Sequence, residues 1–170
     1  MIDSKHLLQQ DFLKKWPVEI LQNMTLAQYS QAGAKDTFCY WIESKLEELG
    51  SIWGGSAFKF GIFHRKDLSD KTNHLSHSNL YDDEYAWAKK YGDQRDIVFQ
   101  NVRSIILELV TCAQNGDFDK IEAIDFSPTM KWKIAFLYQS NEAQKIACIY
   151  SKKMLKEIAQ QFGKNSDRKT

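Results

Sequence analysis

The residues best suited to chemistry stand in the run Gly50-Ser51-Ile52-Trp53-Gly54-Gly55-Ser56-Ala57-Phe58-Lys59-Phe60-Gly61-Ile62-Phe63. It holds four of the chain's eight glycines, one tryptophan, three phenylalanines and one lysine. Glycine admits φ > 0 and lets the backbone come close to another group. A Gly-Gly pair between a Trp and an alternating aromatic run therefore describes a tight loop feeding a strand. A flat ring there can stack on a base, and a side-chain-free backbone can offer N–H groups to a base edge or a phosphate. Trp53, Gly54 and Gly55 are the candidate wall and floor of a pocket, with Lys59 beside them. The same composition also describes a tight turn whose aromatics are core. Neither GxxxxGK[ST] nor GxGxxG is present, so the block matches no phosphate loop.

Two further groups carry charge next to rings. In Tyr85-Ala86-Trp87-Ala88-Lys89-Lys90-Tyr91, a helix would put Trp87 and Tyr91 on one face, with Lys89 and Lys90 available to phosphates. An ordinary amphipathic helix reads the same way. In Lys131-Trp132-Lys133, a strand would place both lysines on one face, toward a nucleic-acid backbone, and Trp132 inward; a solvated sheet face is the alternative. His64, His74 and His77 are clustered, but no Cys or carboxylate pair has matching spacing, so no metal is expected. Acidic pairs such as Glu47-Glu48 and Asp82-Asp83 read as solvated or capping carboxylates. GxSxG and HExxH are both absent, and no nucleophile stands out; no catalytic role and no cofactor is expected of this chain.

Periodicity and punctuation supply the elements that must position these groups. Leu7, Leu8, Phe12 and Trp16 mark a first helix with Ser4 as N-cap, and Pro17 suits the first turn of a second. Thr25 and Gln28 have capping-box spacing. Asp36 can cap a helix running to about Leu49, with Glu43 off its apolar face, although Phe38 to Trp41 would also suit a strand. Phe58, Phe60 and Ile62 alternate as a strand. His64 to Asn79 reads as a long polar loop. Asp82 or Asp83 can cap a helix through Tyr91, and Asp93 opens the longest helix, to about Gln114. Trp132 to Tyr138 reads as a strand or a buried helix, Ile146 to Tyr150 as a strand, and Ser151 to Phe162 as a last helix. The sum is an α+β domain, a small mixed sheet of about three or four strands packed by several helices. It spans residues 1–163, with 164–170 a polar tail or the start of a linker.

Composition bounds the function classes. The 170 residues suffice for one domain with a real core, and 43% hydrophobic with 26% charged residues is a globular balance. The net charge of +1 is not that of a protein gripping nucleic acid by charge alone. A nucleic-acid function must then rest on a local patch, on shape, or on several copies. No signal peptide or membrane-length apolar run is visible, and Cys39, Cys112 and Cys148 show no CxxC spacing; a reduced, cytoplasmic setting is expected.

The segments Phe38-Cys39-Tyr40-Trp41-Ile42-Glu43 and Glu48 through Phe63, with Tyr85 to Gly92 and Lys131 to Tyr138, resemble the N-terminal region of a group of McrB-like AAA+ ATPases. These are the NTP-driven subunits of modification-dependent restriction systems. The likeness covers about residues 10–160. It implies a DNA-recognition domain, often reading a modified base, whose motor and McrC-like nuclease partner lie elsewhere. This chain has no P-loop of its own, so it corresponds either to an excised specificity domain or to a stand-alone relative. From chemistry, the DNA-binding residues expected are Trp53, Gly54, Gly55, Lys59 and Trp87, with Lys89, Lys90, Lys131 and Lys133 on phosphates. A protein-interaction module of the same assembly, or a small-ligand or nucleobase pocket, are the other functions compatible with these residues.

Overall fold

The computed structural model describes residues 4–66, 78–140, 145–150 and 152–163, apart from the side chains of 152 and 153. The fold is α+β, as the residue pattern predicts. Among the described residues its sheet is small and three-stranded, in the order β1-β3-β2, and both pairings are antiparallel, which corrects the expected mixed sheet.

The N-terminal third is helical. α1 (Ser4–Lys15), α2 (Val18–Gln22) and α3 (Leu26–Tyr29) follow one another closely. Thr25 and Gln28 form the expected capping box at α3, satisfying N–H groups that the first turn leaves unpaired. The next helix begins at α4 (Phe38–Tyr40), capped by Thr37 rather than Asp36. It then widens into a π turn over Trp41–Lys45 and tightens into a 3₁₀ turn over Glu47–Leu49. Asp36 instead receives Lys15, Lys45 and the Trp41 indole N–H, which together hold its carboxyl far below the usual range.

β1 (Ile62–His64) is preceded by a 3₁₀ turn over Ala57–Phe60, so the aromatic alternation expected to be one strand is half turn and half strand. β2 (Asn79–Tyr81) and β3 (Tyr85–Ala88) form a hairpin. The helix expected from Asp82 or Asp83 to Tyr91 is thus corrected to a strand followed by a 3₁₀ turn at Lys89–Tyr91. Asp82 does accept from two backbone N–H groups, those of Glu84 and Tyr85, but it closes a β-turn rather than starting a helix. The same side-chain chemistry serves both ends.

α5 (Arg95–Asn115) is the longest helix and the centre of the core. Val98, Val102, Ile106, Leu109 and Val110 face inward, and Gly116 caps its C-terminus in the left-handed region. α6 (Phe118–Ala123) and α7 (Pro128–Tyr138) return across it. The strand reading of Trp132 to Tyr138 is corrected here to its stated alternative, a buried helix. Residues 145–150 run as irregular chain rather than a strand, and α8 (Lys152–Gln161) closes the described residues. Most of the expected His64–Asn79 loop, with His74 and His77, lies outside the described residues, as do most of a turn expected over Ser140–Ala143, Ser151 and the expected 164–170 tail. No helix among the described residues is long and apolar enough to cross a membrane.

Candidate nucleic-acid interface

Trp53 stands at the tip of the loop that joins the 38–49 helical segment to the 57–60 turn, and 77% of its surface is open. Its neighbours Ser51, Gly54, Gly55 and Ser56 are exposed as well. Gly54 and Gly55 have φ of +92° and +69°, so the turn needs residues without a Cβ penalty. The loop base is the opposite: Ile52 is buried, and a Cβ on Gly50 would lie 2.4 Å from the Cys148 carbonyl oxygen and 2.6 Å from a Tyr150 ring carbon.

Two lysines hold this loop from beneath. Lys59 Nζ donates to Ile52 O at 2.7 Å and Gly54 O at 2.9 Å, and pairs with Glu43 Oε1 at 2.5 Å. Lys133, fully buried on α7, donates to Leu46 O at 2.8 Å and Gly50 O at 2.6 Å. Those carbonyls end the 38–49 helical segment, whose last turn has no partners of its own. Tyr150 Oη adds a bond to Leu49 O at 3.0 Å. The backbone on both sides of Trp53 is thereby pinned by charge-assisted bonds, the stronger class of hydrogen bond. Burial lowers Lys133 to about 8, against the opposing pull of Glu47.

Trp53 separates two concavities. One, about 600 Å³, is lined by Glu43, Tyr40, Phe63, His64, Lys35 and Lys66 among others, with Trp53 and Gly55 on its wall. The second, about 530 Å³, lies against Thr129, Tyr150 and Lys59 and shares Trp53, Gly54 and Gly55. Both volumes fall in the range of small-molecule sites. Phe63 is held edge-on to Phe58 at 5.1 Å, and the Tyr29 hydroxyl fixes the turn beneath by donating to Phe60 O at 2.5 Å. Burial raises Cys39, on the wall of the first concavity, well above the usual thiol range, so it is a poor nucleophile.

The expected site residues therefore divide. Trp53, Gly54, Gly55 and Lys59 are brought together. Lys59 is not a free phosphate contact, because its ammonium is consumed inside the loop. Trp87 is 4% exposed in β3, where it packs in the core and cannot meet a ligand; the helical spacing that paired it with Tyr91 does not exist. Lys131 and Lys133 do not face outward from a strand. Lys131 caps the C-terminal end of α6 through Glu122 O at 2.7 Å and Ile124 O at 3.3 Å, as Lys133 caps the 38–49 segment. Lys89 and Lys90 are exposed, but neither lines a concavity at Trp53, and Lys90 is paired with Asp125 at 2.6 Å.

Sequence reasoning missed Lys35, Lys66 and Glu43. The first two sit in loops, where periodicity is silent. Glu43 falls off the apolar face of a regular α-helix and stands in the π turn, where it pairs with Lys59. Among the described residues, no group of three or more His, Cys, Asp or Glu converges as metal ligands would. Compared with known proteins, the chain matches no family model, no curated protein and no solved structure.

Proposed function

We propose that the chain is a DNA-recognition domain, of the kind that serves an McrB-like restriction NTPase in the cytoplasm, and that it reads a modified base in duplex DNA. The observation that carries this reading is an open indole on an immobilised loop. A lone exposed ring is common at protein surfaces, but here the backbone that presents it is held by two ammonium groups, Lys133 fully buried and Lys59 partly so. The ring would stack on one extruded base. Gly54 and Gly55 would give close backbone approach, and Lys35 and Lys66 at the rim would meet phosphates. Lys89 is a candidate for a further phosphate contact; Lys59, Lys131 and Lys133 act through the backbone they hold. With a net charge of +1, one copy binds weakly, and a parent motor presenting several copies offsets this through effective concentration. An McrC-like nuclease would be reached through that motor.

The test is a titration against duplexes with and without methylated bases, at two salt concentrations. Trp53→Ala should weaken binding by ~1–3 kcal/mol, the worth of one stacked base. Unchanged affinity in the folded variant refutes the stacking role. A second reading, a protein-interaction module of the same assembly, is favoured by α8 and the turn after it, where Met154, Leu155 and Phe162 expose apolar surface. Binding that ignores salt would support it, because DNA binding weakens steeply as salt rises.

A further inference from the structure

The 600 Å³ concavity beside Trp53 is not a neutral slot, because Glu43 stands in its wall. One carboxylate oxygen, Oε1, takes the Lys59 ammonium; no described residue donates to Oε2, and the side chain stays 28% exposed. Ser30 Oγ and Thr37 Oγ1 each accept one backbone bond, from His64 N and Tyr40 N at 3.2 Å, and Glu43 is the one carboxylate among the residues that line the space. An ionised carboxylate has lone pairs and no proton to give. A ligand placing N–H groups there gains a charge-assisted bond, whereas one placing a carbonyl there sets lone pairs against lone pairs and leaves a half-buried carboxylate dehydrated and unpaired. Phosphate is left to Lys35 and Lys66, exposed residues of the same lining.

We infer that Glu43 makes this concavity selective for a base with an exocyclic amino group, cytosine- or adenine-like, over one with a carbonyl at that place, such as uracil or thymine. The inference rests on the reading of Trp53 as the stacking surface for an extruded base. Lys59 has a positioning part in it: by holding Oε1 it fixes the carboxylate and leaves Oε2 without a donor among the described residues.

The experiment compares duplexes with a single cytosine or a single uracil opposite an abasic site, so that neither base must be unpaired; the two differ at C4, amino against carbonyl, and at N3, lone pair against N–H. Wild type should prefer cytosine by about tenfold, since a site built around a hydrogen bond rejects the analogue that lacks it. Glu43→Gln keeps an acceptor for Lys59 but offers both an N–H and a C=O, and it should bring the two duplexes to within about twofold. A wild type that binds both equally, or a Glu43→Gln protein that keeps the preference, overturns the inference. Trp53→Ala separates that failure from failure of the base reading itself: it should weaken both duplexes together, and if it weakens neither, the stacking surface and the inference both fall. Cytidine against uridine, followed by Trp fluorescence of the wild type, repeats the comparison without any variant; quenching at lower cytidine concentration is the supporting result and equal quenching the opposing one.

Discussion

Lys133 makes the structure testable through pH. Its ammonium is sealed from solvent, and burial lowers it to about 8 from 10.5. A lysine that gives up its proton earlier when folded leaves the unfolded chain with more bound protons between those values. Stability must then rise with pH across that window, by ~1 kcal/mol from pH 7 to pH 9 for this one group. Other groups oppose it. Burial raises Tyr29, Tyr138, Tyr150 and Cys39, so their ionisation favours the unfolded chain as pH climbs toward 9 and beyond. The absolute profile of the wild type is therefore shallow, and the informative quantity is the difference from Lys133→Met, which keeps the chain length and removes the charge. At pH 7 the variant leaves the Leu46 and Gly50 carbonyls without their donor, a cost of about 1–3 kcal/mol after relief of the buried charge. Urea denaturation at both pH values should show the gap between the two proteins widening by ~1 kcal/mol at pH 9. Parallel profiles would show that Lys133 does not titrate abnormally, and the account of a charge held on two helix-terminal carbonyls would fail.

The glycines of the loop should separate by position. Gly50→Ala forces a Cβ into the Cys148 carbonyl at φ +89° and should cost at least about 2 kcal/mol in thermal or urea melts. Gly54→Ala meets nothing within 4 Å, so only the positive φ opposes it, at about 1–2 kcal/mol. Trp53→Ala should leave stability within about 0.5 kcal/mol of wild type, because the ring lies outside the core. In DNA titrations across salt, Lys35→Ala and Lys66→Ala should each reduce the slope of log affinity on log salt by about 0.9, one phosphate apiece. Lys59→Met should lower affinity by loosening the loop and leave that slope unchanged.

Helices set by strong apolar period and explicit punctuation were legible from residues alone: α5 with its Gly116 stop, the Thr25 capping box, and the α8 stripe. Errors came where two periods coincide. Tyr85-Ala86-Trp87-Ala88 is buried on both faces, so no polar alternation betrays a strand, and Trp87 and Tyr91 at four apart imitate a helix. Lys131-Trp132-Lys133-Ile134 does the reverse, alternating charge and ring as an exposed strand would. The lysines can enter a buried helix because backbone carbonyls of other elements receive their ammonium groups. Lys131 reaches back only 9 and 7 residues, to the end of α6, but the partners of Lys133 lie 83 and 87 residues away, and no local pattern announces them. At the site, an irregular glycine loop bearing a ring was readable from composition, which left open whether the ring was core or exposed; Trp53 proves exposed and its neighbours Ile52 and Phe60 buried. Glu43, in contrast, stands in a π turn and pairs with Lys59 sixteen residues on, and periodicity registers neither.

The division of labour among the lysines bears on what the loop is for. A loop serving only as a connection needs no more than satisfied backbone groups, and water satisfies exposed carbonyls at little cost. Here Leu46, Gly50, Ile52 and Gly54 are met instead by ammonium groups, one of them wholly buried, although burying a charge is unfavourable. The gain is order: fixing the loop in advance removes an entropy cost that a ligand would otherwise meet on binding. That gain has no value to a fold that keeps Trp53 in water and full value to one that sets Trp53 against a flat partner. It also explains why the cations nearest the indole in sequence and packing are not those expected to touch phosphates. Positioning requires charges saturated by the protein, whereas phosphate binding requires charges left open to solvent, and Lys59 and Lys133 stand on one side of that line with Lys35 and Lys66 on the other.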